Sequence, residues 1–384
     1  MNYDWNQKYN YNFPTLVRFG KDVILELGPH LKEQGLKKVL VVSDPGLVKL
    51  PLFEKIAEMI KKSGVEVAVF SEIDKNPVKS NVLKGAEVYF KNNCDSIVGF
   101  GGGASMDVAR AIALKINHHL DLFAYDDAIG GDKLVTGIIP YFVTVPTTSG
   151  TGSEVGRSTV ISDDVTHEKK ILFSPKLMAS KVFADPTLSM SLPAFITAAT
   201  GMDALTHNIE AYLAKGFSPM CDGIALEGIR LIAQSIERAT HNPDLESRSK
   251  MMMGSLMGAT AFQKGLGIVH SLAHPLSTLV DMHHGLANAI MLPYGMEFNK
   301  SHSGARMTTI AQTIGLKDTT PEGFINWIID LNKKLNIPTH LSSQKVNDSH
   351  LEQLAALAIK DPCWPSNEKP VTKNDFLEIY KKSL

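Results

Sequence analysis

Two pairs of side chains in this sequence have the spacing of ligands on a helix. In GMDALTHNIEAY, Asp203 and His207 stand four residues apart; in GIVHSLAHPLSTLVDMHHG, His270 and His274 repeat that spacing. On a helix, residues i and i+4 share a face, with Cβ atoms about 5–6 Å apart. The second stretch holds four of the chain's 13 histidines, and His283 and His284 close it. A lone histidine in a helix is ordinarily structural, but two pairs at ligand spacing in one region point to a metal. The set Asp203, His207, His270 or His274, and His284 offers nitrogen and oxygen, which suits Zn²⁺ or Fe²⁺ rather than Mg²⁺ or Ca²⁺. No thiolate accompanies it, unlike most structural zinc sites. Spacing alone leaves open which of His270, His274 and His283 are ligands.

A second chemistry is written in glycine. Gly99-Phe100-Gly101-Gly102-Gly103-Ala104 matches G-x-G-x-x-G/A at the end of an apolar run. Such a loop lets backbone approach a pyrophosphate, and the helix it opens offers unbonded N–H groups and a positive dipole end. The ribose-binding acid expected about 20 residues further on would be Asp121, which does not end a strand; Asp44, upstream, does. Small hydroxyls and glycines recur in Pro146-Thr147-Thr148-Ser149-Gly150-Thr151-Gly152-Ser153-Glu154, after another apolar run. Two polar loops at strand ends make shared ligand binding the expectation, because open α/β sheets bind there.

The elements that must position these residues fall into two kinds. KKVLVVSD (37–44), VEVAVFSE (65–72), CDSIVGFGGG (94–103), TGIIPYFVTVPTT (136–148) and SKVFADP (180–186) read as strands, with helical spacing over 51–63 and 79–92 between them. That alternation predicts a mostly parallel sheet. After about residue 190 only helical periodicity remains. The 384 residues carry a formal net charge of −1, which gives no support to nucleic-acid binding. No apolar run approaches a membrane span. Cys94, Cys221 and Cys363 are scattered and odd in number, which indicates neither a disulfide framework nor a thiolate metal site and fits a reducing cytoplasm. The N-terminal MNYDWNQKYNYNFP lacks the order of a signal peptide and is a candidate to add a strand to a neighbouring subunit.

Together, GFGGGASMDVAR, PTTSGTGSE, GMDALTHNIEAY and VHSLAHPL followed by HGLANAIMLP resemble the iron-containing (group III) alcohol dehydrogenase family, over nearly the whole chain from VRFG (17–20). The resemblance implies a dehydroquinate-synthase-like fold, with an α/β NAD-binding domain over 1–190 and an all-helical metal and substrate domain over 191–384. It implies Asp203, His207, His270 and His284 as metal ligands, and His274 beside the metal as a proton-transfer residue. His283, where relatives often carry proline, is left off the metal. Gly101, Gly102, Gly103 and Asp107 match the pyrophosphate loop. Ala104 replaces the family's usual serine there, with Ser105 as a neighbouring hydroxyl, and Arg110 stands where lysine is common. Thr147, Thr148, Thr151 and Ser153 match the second loop, and Asn76, Lys169 and Leu188 match other cofactor-lining positions. Asp44 matches the acid facing the adenosine ribose; a carboxylate there repels a 2′-phosphate and favours NAD over NADP.

The implied activity is metal-dependent, NAD(H)-linked oxidation of small primary alcohols or diols, or reduction of the aldehydes, by hydride transfer. The implied metal is Fe²⁺, with Zn²⁺ as the alternative, in a cytoplasmic homodimer or higher homo-oligomer. A lyase similar to dehydroquinate synthase would share the fold. It needs basic residues for an anionic substrate, whereas MMMGSLMGATAFQKG makes the helical half apolar near its site. A non-catalytic module, metal-stabilised and nucleotide-sensing, would leave His274 without a purpose.

Overall fold

A computed structural model describes residue 13 and residues 15–384. Apart from Phe13, the N-terminal stretch proposed above to add a strand to a neighbour lies outside the described residues. Two compact units form: residues 15–148 with 152–191, and Ser149–Thr151 with Leu192–Leu384.

The first unit is built on six parallel strands: β1 (Leu16–Phe19), β2 (Lys38–Val42), β3 (Glu66–Phe70), β4 (Ser96–Gly101), β5 (Tyr141–Pro146) and β8 (Lys181–Ala184). Their spatial order is β1-β8-β5-β4-β2-β3. Helices α1 (Leu27–Glu33), α2 (Pro51–Lys62), α3 (Lys79–Lys91) and α4 (Gly103–Ile116) complete the crossovers. Successive strand side chains point to opposite faces, and both faces here are covered. Val39 and Val41 pack with Phe53, Ile56 and Ile60 of α2. Leu40 and Val42 pack with Val82 of α3 and Val108 and Ile112 of α4. Burial on two sides is why these strands read as unbroken apolar runs rather than alternating ones.

Three strands escape the sequence reading. β1 is a four-residue edge strand, and β6 (Ser158–Ser162) pairs antiparallel with β7 (Lys169–Phe173) as a separate two-stranded sheet. Short, half-exposed strands carry too few apolar positions to stand out from loops.

In the second unit, the described residues after 190 contain helices and no strand. They are α5 (Ala194–Leu213), α6 (Pro219–Ala233), α7 (Ile236–His241), α8 (Leu245–Ala261), α9 (Ile268–Val280), α10 (His284–Thr313), α11 (Pro321–Lys334), α12 (Leu351–Ala358) and α13 (Lys373–Ser383). α5 is buried on nearly every face, as a helix that is apolar all round must be. Its Asp203, His207 and Glu210 are polar exceptions sealed inside. No helix among the described residues is long and apolar enough to cross a membrane.

Candidate functional site

In the sheet unit, the loops singled out by sequence leave the carboxyl ends of adjacent strands. Asp44 follows β2, Gly101 to Gly103 lead from β4 into α4, and Thr147 and Thr148 follow β5. This is where open parallel sheets bind ligands. Gly101 has φ +145°, which only glycine adopts freely. A Cβ there would also lie 2.6 Å from Ser105 Oγ and 3.5 Å from Asp44 Oδ2. Asp44 is thereby placed beside the glycine turn, while its Oδ1 accepts from the amides of Gly46 and Leu47 at 3.0 and 2.9 Å.

The start of α4 fits an anion. The helix has no side-chain cap and no acid in its first turn, so its first amides and positive dipole end are left for a ligand. Ser105 Oγ is buried there with no hydrogen-bond partner. Asp121, the rejected alternative acid, is ion-paired to Lys79.

Asp107 and Ser153 meet each other. Ser153 Oγ donates to Asp107 Oδ1 at 2.7 Å, and the Val160 amide donates to Oδ2 at 3.2 Å. The fully buried Arg110 braces both, donating to Asp107 Oδ1, Ser153 Oγ and the carbonyls of Ser158 and Leu177. This network holds the loop at its base. Leu188 is buried, Asn76 is exposed, and Lys169 opens β7. Thr151 belongs to the segment Ser149–Thr151 that groups with the helices. There the Gly150 carbonyl accepts from Ser255 Oγ at 3.1 Å.

Within the helical unit, α5, α9 and α10 bring Asp203, His270 and His284 together, with one ligand atom from each within 4.8 Å of the others. His284 Nε2 is 3.4 Å and His270 Nε2 3.8 Å from Asp203 Oδ1. His207 stacks on His270, with ring centroids 4.6 Å apart, and lies outside this three-residue group. Its Nδ1 is buried with no hydrogen-bond partner.

Sequence spacing pairs His270 with His274, and their rings do meet edge-on with centroids 5.9 Å apart, but each turns its Nδ1 to a different carboxylate. His274 Nδ1 lies 2.6 Å from Asp361 Oδ2, and Cys363 completes that second group. Ser271 Oγ and the Cys363 amide donate to Asp361 Oδ1 at 2.7 and 2.9 Å. The His274 ring still stacks on His284, with centroids 5.2 Å apart. His283 stands at the residue preceding α10 and packs edge-on against Phe195.

The electrostatics suit a cation. Burial alone would raise the Asp203 carboxyl, but His207, His284, His270 and a bond from Asn288 together hold it at about 2. Burial pushes His207 down to about 4, against the pull of Asp203. At neutral pH the centre therefore holds an anionic carboxylate and a neutral imidazole, the forms in which these groups ligate. One amide nitrogen, Asn288 Nδ2, donates to Asp203 Oδ1 at 2.7 Å and also lies 3.3 Å from His270 Nε2 and 3.1 Å from His284 Nε2. An amide has two hydrogens, too few for three such atoms. The residues present thus fit a divalent ion.

The sequence reading missed Glu210, Asn288 and Asp361. Glu210 lies three residues past His207 on α5, and Asn288 lies four past His284 on α10, so helical spacing held a signal for both. Asp361 is 87 residues from His274 and has no such signal.

A parallel sheet with ligand loops at its carboxyl edge, and a buried carboxylate–histidine centre among helices, define a dinucleotide-linked metalloenzyme. Residues 14–186 match the family model for iron-containing alcohol dehydrogenase, and residues 197–384 match the C-terminal model of the Fe-containing alcohol dehydrogenase family. The chain is 35% identical to 1,3-propanediol dehydrogenase of Citrobacter freundii, over 98% of this chain and 99% of that one. It is 33% identical to NAD-dependent methanol dehydrogenase of Bacillus methanolicus, over 98% and 100%. A crystal structure of 1,3-propanediol oxidoreductase superposes with a TM-score of 0.94 at 34% identity, covering 98% of this chain and all of the other. The chain belongs to the iron-containing alcohol dehydrogenase family, and is an oxidoreductase with that family's dehydroquinate-synthase-like fold.

Proposed function

We propose that this enzyme catalyses NAD-linked interconversion of small primary alcohols or diols with their aldehydes, using Fe²⁺, with Zn²⁺ able to replace it. The observation that carries this reading is the convergence of Asp203 Oδ1, His270 Nε2 and His284 Nε2 on one point, with Asp203 and His270 buried and His284 partly exposed. Those three residues, joined by His207, would hold the ion. When bound, such an ion supplies Lewis acidity to an alcohol or carbonyl oxygen and makes the alcohol a stronger acid. NAD supplies the hydride acceptor.

The chain's own residues do the rest. Asp44 selects an adenosine ribose without a 2′-phosphate, and the amides at the start of α4 bind pyrophosphate. His274, held at Nδ1 by Asp361, takes the alcohol proton at Nε2 and returns it in reduction. Phe262, whose ring centroid lies 5.2 Å from that of His207, and the half-buried Cys363 beside His274 give the centre an apolar border suited to a short carbon chain.

The test is NADH absorbance at 340 nm with ethanol, 1-butanol and 1,3-propanediol, on protein loaded anaerobically with Fe²⁺ or Zn²⁺. Stoichiometric NADH formation is expected with at least one pair. Bound metal and NAD with net turnover of another kind, and no NADH, would replace this reading with the lyase.

A further inference from the structure

Glu210 reaches from α5 to the start of α9 and is 2% exposed. Its Oε1 accepts from the Val269 amide at 2.6 Å. Its Oε2 accepts from the His270 amide at 3.2 Å and lies 2.6 Å from His270 Nδ1. α9 has no side-chain cap of its own, and its N-cap residue, Gly267, would carry a Cβ only 2.7 Å from Glu210 Oε1. Glycine at 267 is what admits the carboxylate.

These contacts fix a tautomer. Both oxygens of Glu210 already accept from backbone amides, which can only donate. Facing such a carboxylate, His270 Nδ1 must carry the proton. Its Nε2 then presents a lone pair, on the side where Asp203 Oδ1 and His284 Nε2 stand. We infer that Glu210 is a positioning residue for the metal: it locks His270 with Nδ1 protonated and aims Nε2 at the ion. A carboxylate behind a ligating histidine orients the ring and raises its basicity. Here the same carboxylate caps the helix that carries the ligand, so ring and backbone are fixed by one group.

The inference rests on reading Asp203, His270 and His284 as a metal site. Its test is a Zn²⁺ dissociation constant from chelator competition, for wild type and Glu210→Gln. The expected result is a dissociation constant roughly 10–100 times weaker in the variant. A residue that only capped α9 would lower thermal stability and leave the affinity of the folded protein unchanged, and that outcome overturns the inference. Should the variant not fold, the wild-type apoprotein decides: ¹⁵N-histidine NMR, at a pH where the ring is neutral, is expected to show His270 protonated at Nδ1, and a neutral ring protonated at Nε2 overturns it. Wild type that takes up no Zn²⁺ ends the metal-site reading itself.

Discussion

His274 Nδ1 and Asp361 Oδ2 lie 2.6 Å apart, although 87 residues separate them. Asp361 is in turn held by Ser271 Oγ and the Cys363 amide, and the neighbouring His274 with these bonds keeps its carboxyl well below the usual range despite burial. Asp361→Asn keeps the shape and removes the charge that orients the imidazole. General acid–base groups contribute roughly 10²–10⁴-fold, so kcat is expected to fall about 100-fold. KM and metal content should stay within about threefold. A variant whose loss appeared in KM or in metal content would deny Asp361 this role.

His270→Ala removes a ligand from the centre and should abolish metal uptake and turnover. The effect is separable from misfolding by its dependence on metal. Free metal at about 100 times its Kd stabilises a protein by about 2.7 kcal/mol, which is roughly 5–10 °C in Tm for a unit of this size. Wild type is expected to lose that increment on chelation, and the variant to melt at one temperature with or without chelator. A metal-dependent shift retained by the variant would remove His270 from the ligand set.

The fold was legible where burial on both sheet faces, or on one helix stripe, imposed a period. Hence β2 to β5, β8 and the helices after 190 stand in the sequence, while β1, β6 and β7 do not. At the centre, i, i+4 spacing marked Asp203–His207 and His270–His274 as helix faces. It could not say that His270 turns to Asp203 whereas His274 turns to Asp361, because that choice is made by a residue near the other end of the helical unit. Ser153 and Asp107 show the same limit. Each was legible as a polar residue in a binding loop, and only packing around Arg110 reveals that they bond to each other.

Asp44 should set cofactor preference. One of its oxygens is engaged by the amides of Gly46 and Leu47, and Asp44→Ser can keep that turn while losing the charge. Removing the repulsion toward a 2′-phosphate is expected to narrow the ratio of kcat/KM for NAD over NADP by at least about tenfold, or about 1.4 kcal/mol. The check is steady-state kinetics with both cofactors. An unchanged ratio would place the ribose away from Asp44.

Glu154 makes stability depend on pH. It is 1% exposed in the turn Ser153–Val155, its Oε1 has no hydrogen-bond partner, and burial raises its pKa to about 7, with Arg110 only partly opposing. The folded pKa lies above the ordinary 4.5, so the folded state prefers the protonated acid. Its contribution is therefore complete below about pH 4.5 and is lost as pH rises through about 7. At 1.36 kcal/mol per unit, the loss is on the order of 3 kcal/mol. Glu154→Gln keeps the neutral shape at every pH. In urea unfolding at pH 5 and pH 8, the variant is expected to gain on wild type by that amount at pH 8 and by far less at pH 5. Other groups titrate in the same range, but they are common to both proteins and cancel in the difference. Parallel stability curves would show that Glu154 is charged in the fold at neutral pH, with Arg110 and the turn able to carry its negative charge.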